Sequence, residues 1–145
     1  MKSKPAVKGD SIYAVIDTNV IVSAFLAKST DSPPARVFMA LIGGKIIPLY
    51  NQEILNEYTD VLSRKKFRFS HEDIKAFIAF IKEFGINSER IHSEEYFPDS
   101  KDIVFYEVAL SKDGSFLVTG NLKHFPGNPI VISPADMVKL LETLA

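Results

Sequence analysis

The run Ile12-Tyr13-Ala14-Val15-Ile16 passes directly into Asp17-Thr18-Asn19-Val20. An apolar run of this kind is the pattern of a strand covered on both faces, as in the centre of a parallel sheet. It stops abruptly on an acid and two small polar residues, and an apolar, helix-compatible stretch follows over residues 20–26. A carboxylate at that junction stands at the carboxyl end of a central strand, where open α/β sheets hold their ligands. Helix capping is the competing account of Asp17, and Thr18 or Asn19 would serve as caps too.

The rest of the chain repeats the alternation of strand and helix. Ser32-Pro33-Pro34 is a helix start with a capping serine and proline at the first helical position. Val37, Phe38, Leu41 and Ile42 form its apolar stripe, and Gly43-Gly44 ends it. Residues 45–49 read as a short strand, and Asn51 caps a helix with Ile54, Leu55, Tyr58, Val61 and Leu62 inward. Ser70 and Asp73 have capping-box spacing ahead of Ile74, Phe77, Ile78, Ile81 and Phe84, and Gly85 stops that helix. Ile86 to Glu95 is expected to hold a weak strand around Arg90-Ile91-His92, and an apolar helix runs from Asp102 to near Lys112. Residues 115–118 and 130–132 are the last strands, and Ser133-Pro134 opens a closing helix. Such alternation implies an α/β fold whose mostly parallel sheet is covered on both faces, in three α/β/α layers. Residues 1–10 read as a flexible polar leader, and residues 11–145 as a single domain without repeat or linker.

Composition removes several function classes. Lys and Arg number 17 against 18 Asp and Glu, so a nucleic-acid partner must be held by a local basic patch. No cysteine is present, which excludes disulfides, thiolate chemistry and zinc–cysteine sites. The leader carries Lys2, Lys4 and Lys8 without an apolar segment behind them, and no run reaches membrane-spanning length. A soluble, cytoplasmic protein with no membrane partner is the expectation.

The acids decide what the strand end is for. Glu57 lies about 40° round its helix from Val61, on the border of the apolar stripe, where a surface acid or a site residue both fit. Asp99 and Asp102 have the spacing of N-cap and N3, so capping explains them without any function. A helix start with two carboxylates also suits a cation. Glu107 falls among Ile103, Val104 and Leu110, so it is either paired inside or turned to the site. If the first and fourth strands are neighbours, Thr119 and Asn121 lie beside Asp17. Asp17, Glu57, Asp102 and an auxiliary Asp99 or Asn121 would then converge. Hard oxygen ligands suit Mg²⁺ or Mn²⁺, and converging carboxylates repel one another without a cation. His71, His92 and His124 read as surface residues. The run Arg64-Lys65-Lys66-Phe67-Arg68-Phe69 is either a solvated turn or a grip on a nucleic-acid backbone with a base stacked on it.

Asp17-Thr18-Asn19-Val20, Glu57, Asp102 ahead of Phe105 and Ala109, and Val118-Thr119-Gly120-Asn121 occur in an order that resembles the PIN-domain nucleases. The similarity runs from Tyr13 to about Ile132. More narrowly the chain resembles the PIN-type toxins of toxin–antitoxin systems, which Leu62-Ser63-Arg64-Lys65-Lys66-Phe67 and Asn121-Leu122-Lys123-His124-Phe125-Pro126 also match. The resemblance implies a parallel sheet of about five strands and an endoribonuclease dependent on Mg²⁺ or Mn²⁺. It carries Asp17, Glu57 and Asp102 over as catalytic, metal-holding acids; Asp99, beside Asp102, is this chain's own candidate for a further metal ligand. Asn19 would orient Asp17, with Thr119 and Asn121 lining the pocket. In many PIN domains the position of Asn121 is an aspartate that helps hold metal; the neutral amide here lowers the charge of that corner. The resemblance also implies single-stranded or structured RNA, a cognate antitoxin and a homodimer as partners.

Two other phosphoryl-handling families fit less well. A haloacid-dehalogenase-like phosphotransferase needs an acid two residues after Asp17, where Asn19 stands, and a receiver-like module needs an acid pair that is not visible. A PIN-like scaffold that binds RNA or an antitoxin without cutting is the rival that the Asn121 departure leaves open.

Overall fold

The computed structural model describes residues 11–144, so the leader expected over residues 1–10 lies outside the described residues. The strands are β1 Ile12–Ile16, β2 Ile46–Tyr50, β3 Ile86–Asn87, β4 Phe116–Val118 and β5 Val131–Ile132. The helices are α1 Thr18–Leu26, α2 Pro33–Ile42, α3 Gln52–Leu62, α4 His71–Phe84, α5 Ile103–Leu110 and α6 Pro134–Glu142. The expected caps form, with Ser32, Asn51, Ser70 and Ser133 each accepting a backbone N–H from the first turn that follows.

All five strands run parallel in the order β3-β2-β1-β4-β5. From β1 the chain moves outward through β2 to β3, then returns past β1 to β4 and β5. Right-handed crossovers place the helices of the outward path on one face and α5 on the other. The packing agrees, because α2 and α4 lie against β2 while α5 lies against β1 and β4, and α6 packs on α2. The result is the expected three-layer α/β/α arrangement. The reversal falls between β1 and β4, the kind of switch point whose carboxyl edge opens a crevice. Val15, Leu49 and Leu117 are fully buried at the sheet centre, as fits strands covered on both sides. Among the described residues no helix is long and apolar enough to cross a membrane.

The strand expected within Ile86 to Glu95 forms only at the start of that segment and not around Arg90-Ile91-His92. β3 is only Ile86–Asn87, and after Ser88 N–H donates to Tyr50 O the chain leaves the sheet. Charge pairing draws it away. Arg90 Nε donates to Glu107 Oε1 at 2.8 Å, and its Nη1 reaches Glu53 at 2.9 Å. Ser93 N–H donates to Glu107 Oε2 at 2.7 Å. Glu107 is therefore paired inside, which satisfies a carboxylate that would otherwise be costly to bury.

β3 depends on Gly85 for a reason of space. A Cβ there would stand 2.6 Å from Ile81 O and 2.7 Å from Pro48 O, both backbone atoms. Pro48 sits inside β2, and the β2–β3 ladder begins one residue later, at Leu49 opposite Ile86. Gly85→Ala is expected to cost about 2 kcal/mol through forced displacement of the α4–β3 junction. A lower urea midpoint with unchanged slope reports this, and an unchanged midpoint contradicts the close approach.

Candidate active site

Parallel pairing sets Ile16 opposite Val118, so the residues just beyond them, Asp17 and Thr119, meet at the carboxyl edge. Thr119 Oγ1 donates to Asp17 Oδ2 at 2.7 Å. The same hydroxyl accepts Asn121 N–H at 3.0 Å, so its own proton is committed to the carboxylate. Asn19 ties the two strand ends together. Its Nδ2 donates to Asp17 Oδ2 at 3.2 Å, and its Oδ1 accepts Gly120 N–H at 3.0 Å. Asp17 occupies the N-cap position of α1 but makes no side-chain capping bond. Capping therefore does not explain it.

Holding that carboxylate as an anion is costly. Asp17 is 6% exposed, and its pKa is pushed up to about 6. Burial is the main cause, followed by the opposing bond from Thr119; the charges of Asp102 and Glu57 add to the rise, while Thr18 N–H opposes it. Asp102 is also raised, by burial first and then by the charges of Asp99 and Glu57, with His124 opposing. Its Oδ2 is buried and has no hydrogen-bond partner. His124 Nδ1 stands 3.5 Å from that oxygen, an ion-pair separation without a hydrogen bond.

Glu57 is half-buried on α3, close enough for its charge to act on both aspartates. Asp99 is exposed, and its Oδ1 accepts Lys101 N–H at 2.9 Å as the cap of the turn before α5. Asp102, at the N-cap of α5, makes no capping bond. Asn121 is exposed, and its backbone rather than its amide is tied to the site. The fold thus gathers Asp17, Asn19, Thr119, Asp102 and Glu57 at one edge, with Asp99 and Asn121 at its rim. Among the described residues no three His, Asp or Glu side chains stand close enough to form a ready-made metal cluster. The donor set nevertheless fits a hard divalent cation. Its carboxylates raise one another's proton affinity, and one buried oxygen lacks any donor.

Two contributors escaped the sequence reading. Tyr58, visible only as part of an apolar stripe, donates its buried hydroxyl to Ile16 O, fixing the strand end directly before Asp17. Burial first and the Asp17 charge second keep that phenol protonated. His124 gave no periodic signal, because it lies in the short turn Leu122–His124 after β4.

The basic run also takes shape. The turn Lys65–Phe67 exposes Lys65 and Lys66, and Arg68 beside it is exposed in the left-handed region at φ 57°. Phe67 stacks on Phe69 with ring centroids 5.3 Å apart. Apart from the acids, a cavity of about 510 Å³ lies among α1, α2 and α4, lined by Phe25, Phe38, Phe69, Phe77 and Phe80 with their neighbours.

No curated protein and no solved structure matches the chain. The family described as PIN domain matches residues 13–123, from β1 to the turn that carries His124, and so takes in the whole gathered edge apart from that histidine. The chain belongs to the PIN-domain family, whose members are generally nucleases.

Proposed function

We propose that this chain is a divalent-metal-dependent endoribonuclease, the toxin of a toxin–antitoxin pair. The observation that carries the reading is the buried Asp17 carboxylate, clamped between two strand ends beside the unpartnered Oδ2 of Asp102. Asp17, Asp102 and Glu57 would hold Mg²⁺ or Mn²⁺, with Asp99 at the rim. A cation of this kind supplies charge stabilisation at phosphate oxygens and makes a water a stronger nucleophile. The side chains do the positioning. Thr119 and Asn19 lock Asp17 in one orientation, and Tyr58 holds the backbone ahead of it. Glu57 is left to orient the attacking water in line with the phosphodiester. Exposed Lys65, Lys66 and Arg68 offer phosphate contacts despite the overall balance of charge. RNA as the substrate, the antitoxin, the homodimer and a cytoplasmic setting rest on the resemblance to PIN-type toxins.

Incubation of a mixed single-stranded RNA with the purified protein tests this. Cleavage is expected with Mn²⁺ and absent in EDTA. Equal RNA binding in EDTA and Mn²⁺, with no cutting in either, would support a scaffold instead.

A further inference from the structure

We infer that His124 is itself a ligand of the cation held by Asp17 and Asp102, through Nδ1, and that it tilts the site toward Mn²⁺ over Mg²⁺. The inference rests on the reading of this edge as a divalent-cation site. Its first support is a distance. Two donor atoms that share a divalent cation at about 2.0–2.2 Å stand about 3.0–3.6 Å apart at ordinary bond angles. Asp102 Oδ2 and His124 Nδ1 stand 3.5 Å apart. At that separation the imidazole makes no well-formed hydrogen bond to the buried oxygen, which leaves both donor atoms open to a shared cation.

The second support is how His124 is held. Its backbone N–H donates to Asn121 O at 3.0 Å, and Asn121 N–H is bound to the Thr119 hydroxyl that grips Asp17. Phe125, the next residue, is buried and meets the ring of Phe97 edge-on at 6.2 Å. The backbone on both sides is thus anchored, while the imidazole keeps 48% exposure and can admit an ion from solvent. The other histidines stand elsewhere: His92 faces Glu94 and Glu107, and His71 opens α4.

The third support is ligand chemistry. Mg²⁺ takes oxygen donors almost exclusively, whereas Mn²⁺ accepts an imidazole nitrogen more readily. One nitrogen among carboxylates therefore favours Mn²⁺.

Electron spin echo spectroscopy of Mn²⁺ bound to the metal-free full chain tests the assignment directly. Wild type is expected to show modulation from a directly coordinated imidazole ¹⁴N, and His124→Ala to lose it. The Mn²⁺ Kd of His124→Ala should weaken at least ~10-fold, and the Mg²⁺ Kd by much less. Should that variant misfold, His124→Gln serves in its place, with circular dichroism confirming the fold. Bound Mn²⁺ without ¹⁴N modulation in wild type, or with modulation that survives in His124→Ala, overturns the inference and leaves the nuclease reading standing. Failure of wild type to bind Mn²⁺ at all, or unchanged binding in Asp17→Asn, overturns both.

Discussion

Asp17→Asn should abolish cleavage and, in EDTA, make the protein more stable at neutral pH. The two effects have one cause. The carboxylate is buried beside Asp102 and Glu57, so its negative charge is a liability until a cation arrives. The amide keeps the shape and removes the charge, and a loss of about 10³-fold in cleavage rate is expected from a site deprived of this group. Stability moves the other way. The folded carboxyl has a pKa of about 6 against 3.8 for the ordinary group, so the folded chain holds its proton more tightly than the unfolded chain. Below the unfolded value both states are protonated and nothing is lost. As pH rises through 6 the folded state loses up to about 3 kcal/mol, because the unfolded chain ionises more easily. The amide never pays that cost, although it offers a single acceptor oxygen to the donors of Thr119 and Asn19. A net gain of about 1–2 kcal/mol is expected at pH 7.5, shrinking toward zero at pH 4. Denaturant midpoints for both proteins across that range check it. Addition of Mn²⁺ should then stabilise wild type much more than the variant, which lacks one of the carboxylate ligands. A wild type more stable than the variant at pH 7.5 in EDTA would show that the carboxylate is compensated by something other than a metal.

The same residue shows how far the sequence could be read. Asp17 at the end of an apolar run is equally a cap and a ligand, because both roles want a small acid where a strand hands over to a helix. What separates them is the missing cap bond and the partner Thr119, 102 positions along the chain. That contact requires β1 to pair with β4, a long-range choice on which local periodicity is silent. Asp102 is a parallel case, since its spacing from Asp99 suits a cap and only Asp99 makes one. Helices with clear stripes and caps were legible almost to the residue. β3 was not, because two residues leave no alternation to detect, while the polar–apolar–polar order of Arg90-Ile91-His92 has a different reason, the pairing of Arg90 with the buried Glu107. His124 was illegible because a loop histidine has no period, and its meaning comes from the oxygen it faces.

Phe77→Ala should be the most damaging substitution away from the acids, and its effect should reach them. Phe77 is 4% exposed on α4, with ring centroids 5.9 Å from Phe25, 5.9 Å from Phe38 and 5.5 Å from Tyr58. Truncation removes the buried ring and three aromatic contacts, for which about 3–5 kcal/mol is typical. The lower end applies, because Phe77 also lines the open groove, which can take in water or let neighbouring rings settle. A fall in Tm of roughly 6–12 °C follows. Tyr58 then loses one wall of its seat, and Tyr58 joins α3 to Ile16 while standing next to Glu57. Cleavage per folded molecule should therefore fall several-fold in kcat, with KM little changed, because positioning rather than RNA binding is disturbed. Phe77→Leu restores most of the volume and should recover the larger part of both losses. If Tm falls as expected while kcat per folded molecule stays at the wild-type value, the Tyr58–Ile16 bond alone suffices to hold the site, and the aromatic cluster serves the fold without reaching the chemistry.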